Sequence, residues 1–162
     1  DGKQYKRCAD GDILRPLFAI MNPELMMTLP PYQTASGVSD IFAHCLERYF
    51  SDTPDCELTD RMLEAVMLTM LKEGRRVMKN PNDYEARANI MWAAMVAQNN
   101  ITGVGRAQDW GTHHMDNEIG INYGASHGGS AVPVLDGICH QGKGTGKVRQ
   151  VCNPYLWLPE RL

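Results

Sequence analysis

The sequence predicts a mainly α-helical protein with a single strand near its N-terminus. Apolar residues recur every three or four positions over residues 38–49 and again over residues 62–71, which is the spacing of one helix face. Proline, glycine and asparagine interrupt the chain between these runs, as expected for short loops. Only residues 17–21 form a short apolar run of the strand type.

The predicted strand is Leu17-Phe18-Ala19-Ile20-Met21, because Asn22-Pro23 stops this apolar run directly after it. A single strand cannot make a sheet. We therefore expect its partner strands outside this chain or in a second copy of it.

The first helix is predicted after Pro30-Pro31. Asp40 and His44 are four residues apart, which places them one helical turn apart and on the same side. They lie beside one apolar stripe, formed by Val38, Ile41, Phe42, Cys45, Leu46 and Tyr49.

Three further helices follow in the sequence. Thr59 is a candidate N-cap for the second helix, and Asn80-Pro81 resembles an N-cap followed by a first-turn proline for the third. Gly103 is a plausible stop for the third helix. The fourth is expected to begin near Asp109 and to end before Gly120, and a tight turn at residues 124–126 then leads to His127.

Composition narrows the function classes. The chain has 162 residues, 43% of them hydrophobic, which is typical of one globular domain. Its net charge of −3 would not attract nucleic acid, so we expect no nucleic-acid partner. No apolar stretch approaches the ~20 residues that span a bilayer, and the first residues lack the hydrophobic core of a signal peptide. Five cysteines without a CxxC motif argue against a disulfide framework. We therefore expect a cytoplasmic protein without a membrane partner.

Four side chains form a candidate ligand set for a divalent metal ion: Asp40, His44, His113 and His127. One carboxylate and three imidazoles suit Zn²⁺ or Fe²⁺, whereas Ca²⁺ and Mg²⁺ prefer oxygen ligands. Spacing alone leaves alternatives open, since the paired histidines at 113–114 could lie at the surface and His127 could be an ordinary loop histidine.

Two glutamates, Glu47 and Glu118, are close enough in sequence to accept a hydrogen bond from the ring N–H of a ligand histidine. Such acceptors would orient the rings. If the metal site is real, we therefore expect at least one of these glutamates beside a ligand histidine.

Three segments resemble the iron-containing (group III) alcohol dehydrogenases, and in particular their butanol-dehydrogenase-like branch. The segments are QTASGVSDIFAH at 33–44, DWGTH at 109–113 and GASHG at 124–128. Residues 22–24 and 29–30 resemble the family's interdomain linker, and residues 84–88 and 92–93 also match its butanol-dehydrogenase-like members. The resemblance covers about residues 14–135.

The resemblance implies that Asp40, His44, His113 and His127 bind one Fe²⁺ or Zn²⁺, with His113 preferred to His114. It also implies hydride transfer between a small alcohol or aldehyde and NAD(H) or NADP(H). Many family members have a histidine in the cleft where this chain has Asn117, which could hydrogen-bond a substrate at that position.

The family architecture implies the helical metal-binding domain of a two-domain, α/β plus α, dehydrogenase. Residues 1–29 would then be the trailing edge of the nucleotide-binding domain and a linker, residues 30–135 the helical metal-binding domain, and residues 136–162 an irregular or truncated tail. We expect a partial chain that is inactive alone and that belongs to an enzyme able to form a homodimer. The nicotinamide cofactor would bind through the domain that this chain lacks.

Two other functions remain open at this point. A non-catalytic metal-binding or assembly module would have the same ligands without turnover. A metal-dependent lyase of the related sugar-phosphate cyclase type would use the ligands to activate water, but it would need grouped basic residues for phosphate, and the candidate arginines, Arg75, Arg76 and Arg87, are dispersed.

Overall fold

Four α-helices make up most of the described chain. The computed structural model describes residue 9 and residues 11–130. The helices are α1 (Pro31–Tyr49), α2 (Glu57–Lys79), α3 (Tyr84–Gln98) and α4 (Gly111–Tyr123), and short 3-10 helices cover Asp12–Leu14, Pro23–Met26 and Asn100–Gly103. Residues 11–130 contain no strand, so the prediction of a mainly α-helical fold is confirmed.

Helices α1, α2 and α3 pack against one another and share one hydrophobic core. The apolar stripe predicted for α1 faces this core, and Cys45 within it is completely buried. Burial raises the pKa of the Cys45 thiol to about 12. The neighbouring helices contribute the remaining core residues, which include Leu63, Met67, Met70 and Val77 from α2 and Ala86, Ile90, Ala93 and Ala97 from α3.

The predicted strand at 17–21 is wrong. This segment has no regular secondary structure, and Leu17, Phe18 and Ile20 are exposed. A strand needs a neighbour to pair its backbone N–H and C=O groups, and the described residues offer none.

Two helix starts also differ from the sequence prediction. Helix α2 begins at Glu57 with Cys56 at its cap position, while Thr59 lies inside the first turn and donates to the Cys56 carbonyl. Asp83, rather than Asn80, caps α3, because its carboxylate accepts the backbone N–H of Ala86 at 3.0 Å. Asn80 instead ends α2.

Helix α4 packs against α1 and ends one turn later than predicted. It runs through Gly120 to Tyr123 and ends at Gly124, whose φ of +68° is readily adopted only by glycine. The predicted tight turn therefore starts from a left-handed glycine cap. The predicted tail at 136–162 lies outside the described residues.

Within residues 11–130, none of the helices combines the length and the apolar character that a membrane span requires.

Candidate metal centre

Helix α1 presents two of the four candidate ligands on one side. Asp40 and His44 are one turn apart, and Asp40 Oδ2 lies 3.6 Å from His44 Nε2. Both side chains lie outside the apolar stripe of α1, which faces the core. The helical spacing of these two residues is therefore enough to place their side chains next to each other.

The first turn of α4 adds His113 to this pair. His113 Nε2 lies 3.2 Å from His44 Nε2 and 3.5 Å from Asp40 Oδ1. One ligand atom from each of Asp40, His44 and His113 lies within 4.8 Å of the other two. The packing of α4 against α1 thus brings together candidate ligands that are about seventy residues apart in sequence.

The turn after α4 brings His127 beside Asp40, at the edge of this three-residue cluster. His127 Nε2 lies 3.4 Å from Asp40 Oδ1, and its ring centroid is 5.5 Å from that of His113. The side chain of His127 is 41% exposed, against 12% for His44 and His113. The cluster is therefore closed on the core side and open to solvent beside His127.

His114 does not join the cluster. It follows His113 on α4 but points to solvent. The structure therefore resolves the ambiguity between the adjacent histidines in favour of His113 as the residue that faces Asp40 and His44.

The electrostatics of the cluster favour an ionised Asp40. Burial alone would raise the pKa of Asp40, but the adjacent rings of His113 and His44 and the charges of His44 and His127 outweigh it and hold that pKa well below its usual range. Burial alone would likewise lower the pKa of His113, yet Asp40 and Glu47 together raise it to about 9. The ionised carboxylate of Asp40, placed among imidazoles, favours a positive charge at this point.

The arrangement fits a divalent metal ion. Ligand atoms bound ~2.1 Å from one tetrahedral ion lie about 3.4 Å apart. The separation between His44 and His113 Nε2 is 3.2 Å, and the three Nε2 atoms lie 3.4–3.6 Å from an oxygen of Asp40, Oδ2 for His44 and Oδ1 for His113 and His127. Asp40 Oδ1 and His44 Nδ1 are buried without a hydrogen-bond partner, although buried polar atoms normally have one. Coordination would satisfy the Asp40 oxygen, and three nitrogens with one oxygen suit Fe²⁺ or Zn²⁺.

Comparison with protein families identifies this arrangement. Residues 34–149 match the model of the Fe-containing alcohol dehydrogenase family, C-terminal part. The chain belongs to the iron-containing alcohol dehydrogenase family.

Relatives with named activities support the assignment. The chain is 36% identical over 136 residues to the NADPH-dependent aldehyde reductase YqhD of Escherichia coli (strain K12), covering 84% of this chain and 35% of that protein. It is 42% identical over 115 residues to the NADH-dependent butanol dehydrogenase B of Clostridium acetobutylicum, covering 71% and 30% respectively. The chain thus spans about a third of the length of these relatives.

Solved structures agree with the fold. The substrate- and cofactor-free form of the aldehyde reductase YqhD from E. coli superposes with a TM-score of 0.80 at 34% identity, over 91% of this chain and 40% of that one. The NADH-dependent butanol dehydrogenase A of Thermotoga maritima gives a TM-score of 0.71 at 27% identity, over 83% and 39%. The described helices therefore correspond to the C-terminal helical domain of iron-containing alcohol dehydrogenases.

Glu47 supports His113 as predicted. Its Oε1 accepts two hydrogen bonds from that one residue, from the backbone N–H at 3.0 Å and from ring Nδ1 at 3.0 Å. A ring that donates from Nδ1 leaves Nε2 free for a metal. Glu118 is wrong as the second acceptor, because it lies on the exposed side of α4.

The sequence reasoning missed Asp116, which lies 2.6 Å from Nδ1 of His127 and is almost completely buried. Its position three residues after His113, on the same side of a helix, was a signal for it. Acidic residues on a helix of mixed polarity are usually solvated, however, and only the tertiary structure shows this one to be enclosed.

An aromatic side chain lines the closed side of the cluster. The Trp110 ring meets His44 edge-on at 5.4 Å and His113 at 5.3 Å between centroids. A large ring in contact with two imidazoles restricts their rotation and keeps water from that side.

Asn117 is half-buried on α4, one turn after His113. Residues four apart on a helix share a side, so its position agrees with the sequence prediction. Its role in substrate binding stays a prediction.

Proposed function

We propose that this chain carries the metal centre of a nicotinamide-dependent alcohol dehydrogenase that interconverts small alcohols and aldehydes. The observation that carries the proposal is the convergence of Nε2 of His44, Nε2 of His113 and Nε2 of His127 on the Asp40 carboxylate. Membership of the iron-containing alcohol dehydrogenase family supports the same conclusion.

Asp40, His44, His113 and His127 would hold one Fe²⁺ or Zn²⁺. Such an ion, when bound, supplies Lewis acidity toward the oxygen of an alcohol or aldehyde. The ionised Asp40 reduces the net charge of the loaded centre, and the two orienting carboxylates keep two of the rings aligned.

The residues around the ligands would place the substrate. Among the described residues, the cluster opens to solvent beside His127, the most exposed of the four candidate ligands, while Trp110 contacts His44 and His113. We propose that Asn117 faces this opening and donates or accepts a hydrogen bond at the substrate oxygen. An asparagine holds the oxygen in place but does not move a proton near neutral pH.

The nicotinamide would bind outside residues 11–130, since these contain no glycine-rich turn between a strand and a helix that could cradle a phosphate. The related proteins are named NADPH-dependent and NADH-dependent. We therefore propose NAD(H) or NADP(H) as the hydride carrier, without a preference between the two.

Metal stoichiometry tests the centre directly. Elemental mass spectrometry on the anaerobically purified chain should give about one Fe or Zn per molecule, and His127→Ala should lose it. His114→Ala is the matched control, because it removes the adjacent histidine that points to solvent, and it should keep the metal. Metal-free wild-type protein, or retention in His127→Ala, would contradict the proposed ligand set.

Activity is tested by joining residues 34–149 to the nucleotide-binding part of the E. coli aldehyde reductase. The chimaera should reduce an aldehyde with NADPH, and Asp40→Ala should abolish this activity while His114→Ala should not. A chimaera that holds the metal but shows no turnover would favour a non-catalytic metal-binding module instead.

A further inference from the structure

Asp116 is a buried carboxylate with a specific set of partners. It lies on α4 and is 2% exposed. Burying a carboxylate is costly unless its oxygens accept hydrogen bonds. Within the described residues, Asp116 is bound by the segment after α4: Oδ2 accepts from Nδ1 of His127 at 2.6 Å and from the backbone N–H of Gly128 at 3.3 Å, and Oδ1 accepts from the Ser130 hydroxyl.

The contact with His127 sets both the orientation and the tautomer of its ring. A neutral imidazole has one protonated nitrogen, and a carboxylate beside Nδ1 keeps that proton on Nδ1. Nε2 then carries a lone pair rather than a proton, and Nε2 is the atom that lies 3.4 Å from Asp40 Oδ1.

His127 needs such support more than the other three candidate ligands do. Asp40, His44 and His113 are on helices α1 and α4, whose backbones are fixed by regular hydrogen bonds. His127 is on a turn and is the most exposed of the four side chains. The bond from Gly128 to Asp116 fixes the backbone immediately after it.

We propose that Asp116 is a positioning residue that holds His127 as a metal ligand through Nε2. The proposal rests on the proposed role of His127 in the metal centre. It assigns to Asp116 the function that Glu47 has for His113, so that each histidine contributed by the C-terminal part of the site has its own orienting carboxylate.

Co²⁺ titration of the full chain, followed by visible absorption and by competition with a chelator, tests the proposal. Asp116→Ala should weaken Co²⁺ binding by roughly 10- to 100-fold, the usual effect of removing a partner that orients a ligand. Asp116→Asn should recover part of the affinity, because its carbonyl can accept from His127 and Gly128 while its amide donates to Ser130. Unchanged affinity in Asp116→Ala would overturn the proposal.

Two controls separate positioning from general stability. Ser130→Ala removes the hydroxyl that donates to Oδ1 of Asp116, whereas His127 is bound by Oδ2, and it should change the Co²⁺ affinity much less than Asp116→Ala does. Met70→Ala creates a cavity in the core between the helices, so it should lower the melting temperature but not the affinity. A loss of affinity in Met70→Ala equal to that in Asp116→Ala would make Asp116 merely structural.

A second measurement distinguishes failure of this inference from failure of the proposed function. In the metal-free protein, ¹⁵N NMR of His127 should place the proton on Nδ1 in the wild type and no longer preferentially there in Asp116→Ala. If the wild type binds no Co²⁺ but shows this difference, the metal centre is wrong, and Asp116 orients the His127 ring for a purpose other than metal binding. If the two proteins show the same tautomer, the positioning role is wrong.

Discussion

The Arg48 guanidinium lies 5.1 Å from the centroid of the Trp110 ring. Arg48 is buried, and its other contacts fix it in place: Nε donates to Gln108 Oε1 at 2.9 Å, and Nη1 donates to the Ala97 carbonyl. Since Trp110 in turn contacts His44 and His113, this one arginine connects the end of α3 to the wall of the candidate metal centre.

Replacing Arg48 by methionine should destabilise the protein by roughly 2–4 kcal/mol, because the cation–π contact is lost and the Ala97 carbonyl is left unpaired. Urea unfolding followed by circular dichroism measures this. Arg61→Met is the matched control: Arg61 makes its ion pairs with Glu57 and Glu64 at the surface, and its loss should leave the unfolding midpoint nearly unchanged. Equal effects of the two substitutions would contradict the role given to Arg48.

Gly128 is expected to determine whether His127 can reach α1. Its φ is +78°, and a Cβ at this position would lie 2.4 Å from the Ser36 carbonyl oxygen and 2.7 Å from Asp40 Cβ. Gly128→Ala should therefore push the turn away from α1 and abolish binding of Fe²⁺ or Zn²⁺, as measured by metal stoichiometry.

Gly124→Ala is the control for Gly128. Gly124 also has a positive φ, of +68°, but a Cβ there would meet no atom within 4 Å. This substitution should cost about 1–2 kcal/mol from backbone strain and should keep the metal. Metal retention in Gly128→Ala would show that close approach to α1 is not required.

The contact between α1 and α2 depends on a missing side chain at Gly74. A Cβ on Gly74 would lie 2.9 Å from Cγ1 of Val38, and a β-branched side chain cannot easily rotate away. Gly74→Ala should therefore destabilise the protein by roughly 1–3 kcal/mol, although alanine is the better helix former. A double-mutant cycle tests this: chemical denaturation gives the free energy of unfolding of Gly74→Ala, Val38→Ala and the double variant. The double variant should recover part of the loss, whereas additive effects would exclude the clash.

The cap of α3 predicts a pH dependence of stability. The backbone N–H of Ala86 lowers the pKa of Asp83 below its ordinary value of 3.8, and Arg76 adds to this effect against a smaller opposing influence of burial. Because the folded state has the lower pKa, the contribution of Asp83 is complete above pH 3.8 and is lost as the pH falls through the folded value. Melting temperatures of wild type and Asp83→Ala should differ near neutral pH and converge in acid. A difference that grows on acidification would contradict the assignment.

Much of the fold could be predicted because helical periodicity is local. The stripe on α1 was readable from residues 38–49, and the structure places it in the core. The residue that caps α3 could not be predicted, because Asn80 and Asp83 are both good capping residues. Only the backbone conformation decides between them. The strand prediction failed for a related reason: an apolar run does not specify which segment, if any, pairs with it.

The candidate site divides in the same way. The motifs at 33–44, 109–113 and 124–128 identified four side chains, and the structure brings all four together; metal binding by them stays a proposal. The spacing of Asp116 from His113 was a signal but not a sufficient one, because the burial of Asp116 results from the turn after α4 folding back over it. Sequence spacing indicates which residues can meet within a helix, but not which surface a later turn will cover.

Helix α4 and the turn after it are attached to the rest of the molecule less extensively than α1, α2 and α3 are to one another. Two of the four candidate ligands belong to this outer part, and the other two belong to α1. An ion shared between them would work as a clasp, and its binding free energy would hold α4 in place. Backbone amides of α4 should then exchange with deuterium much faster once the ion is removed by a chelator, while those of α2 and α3 keep their protection.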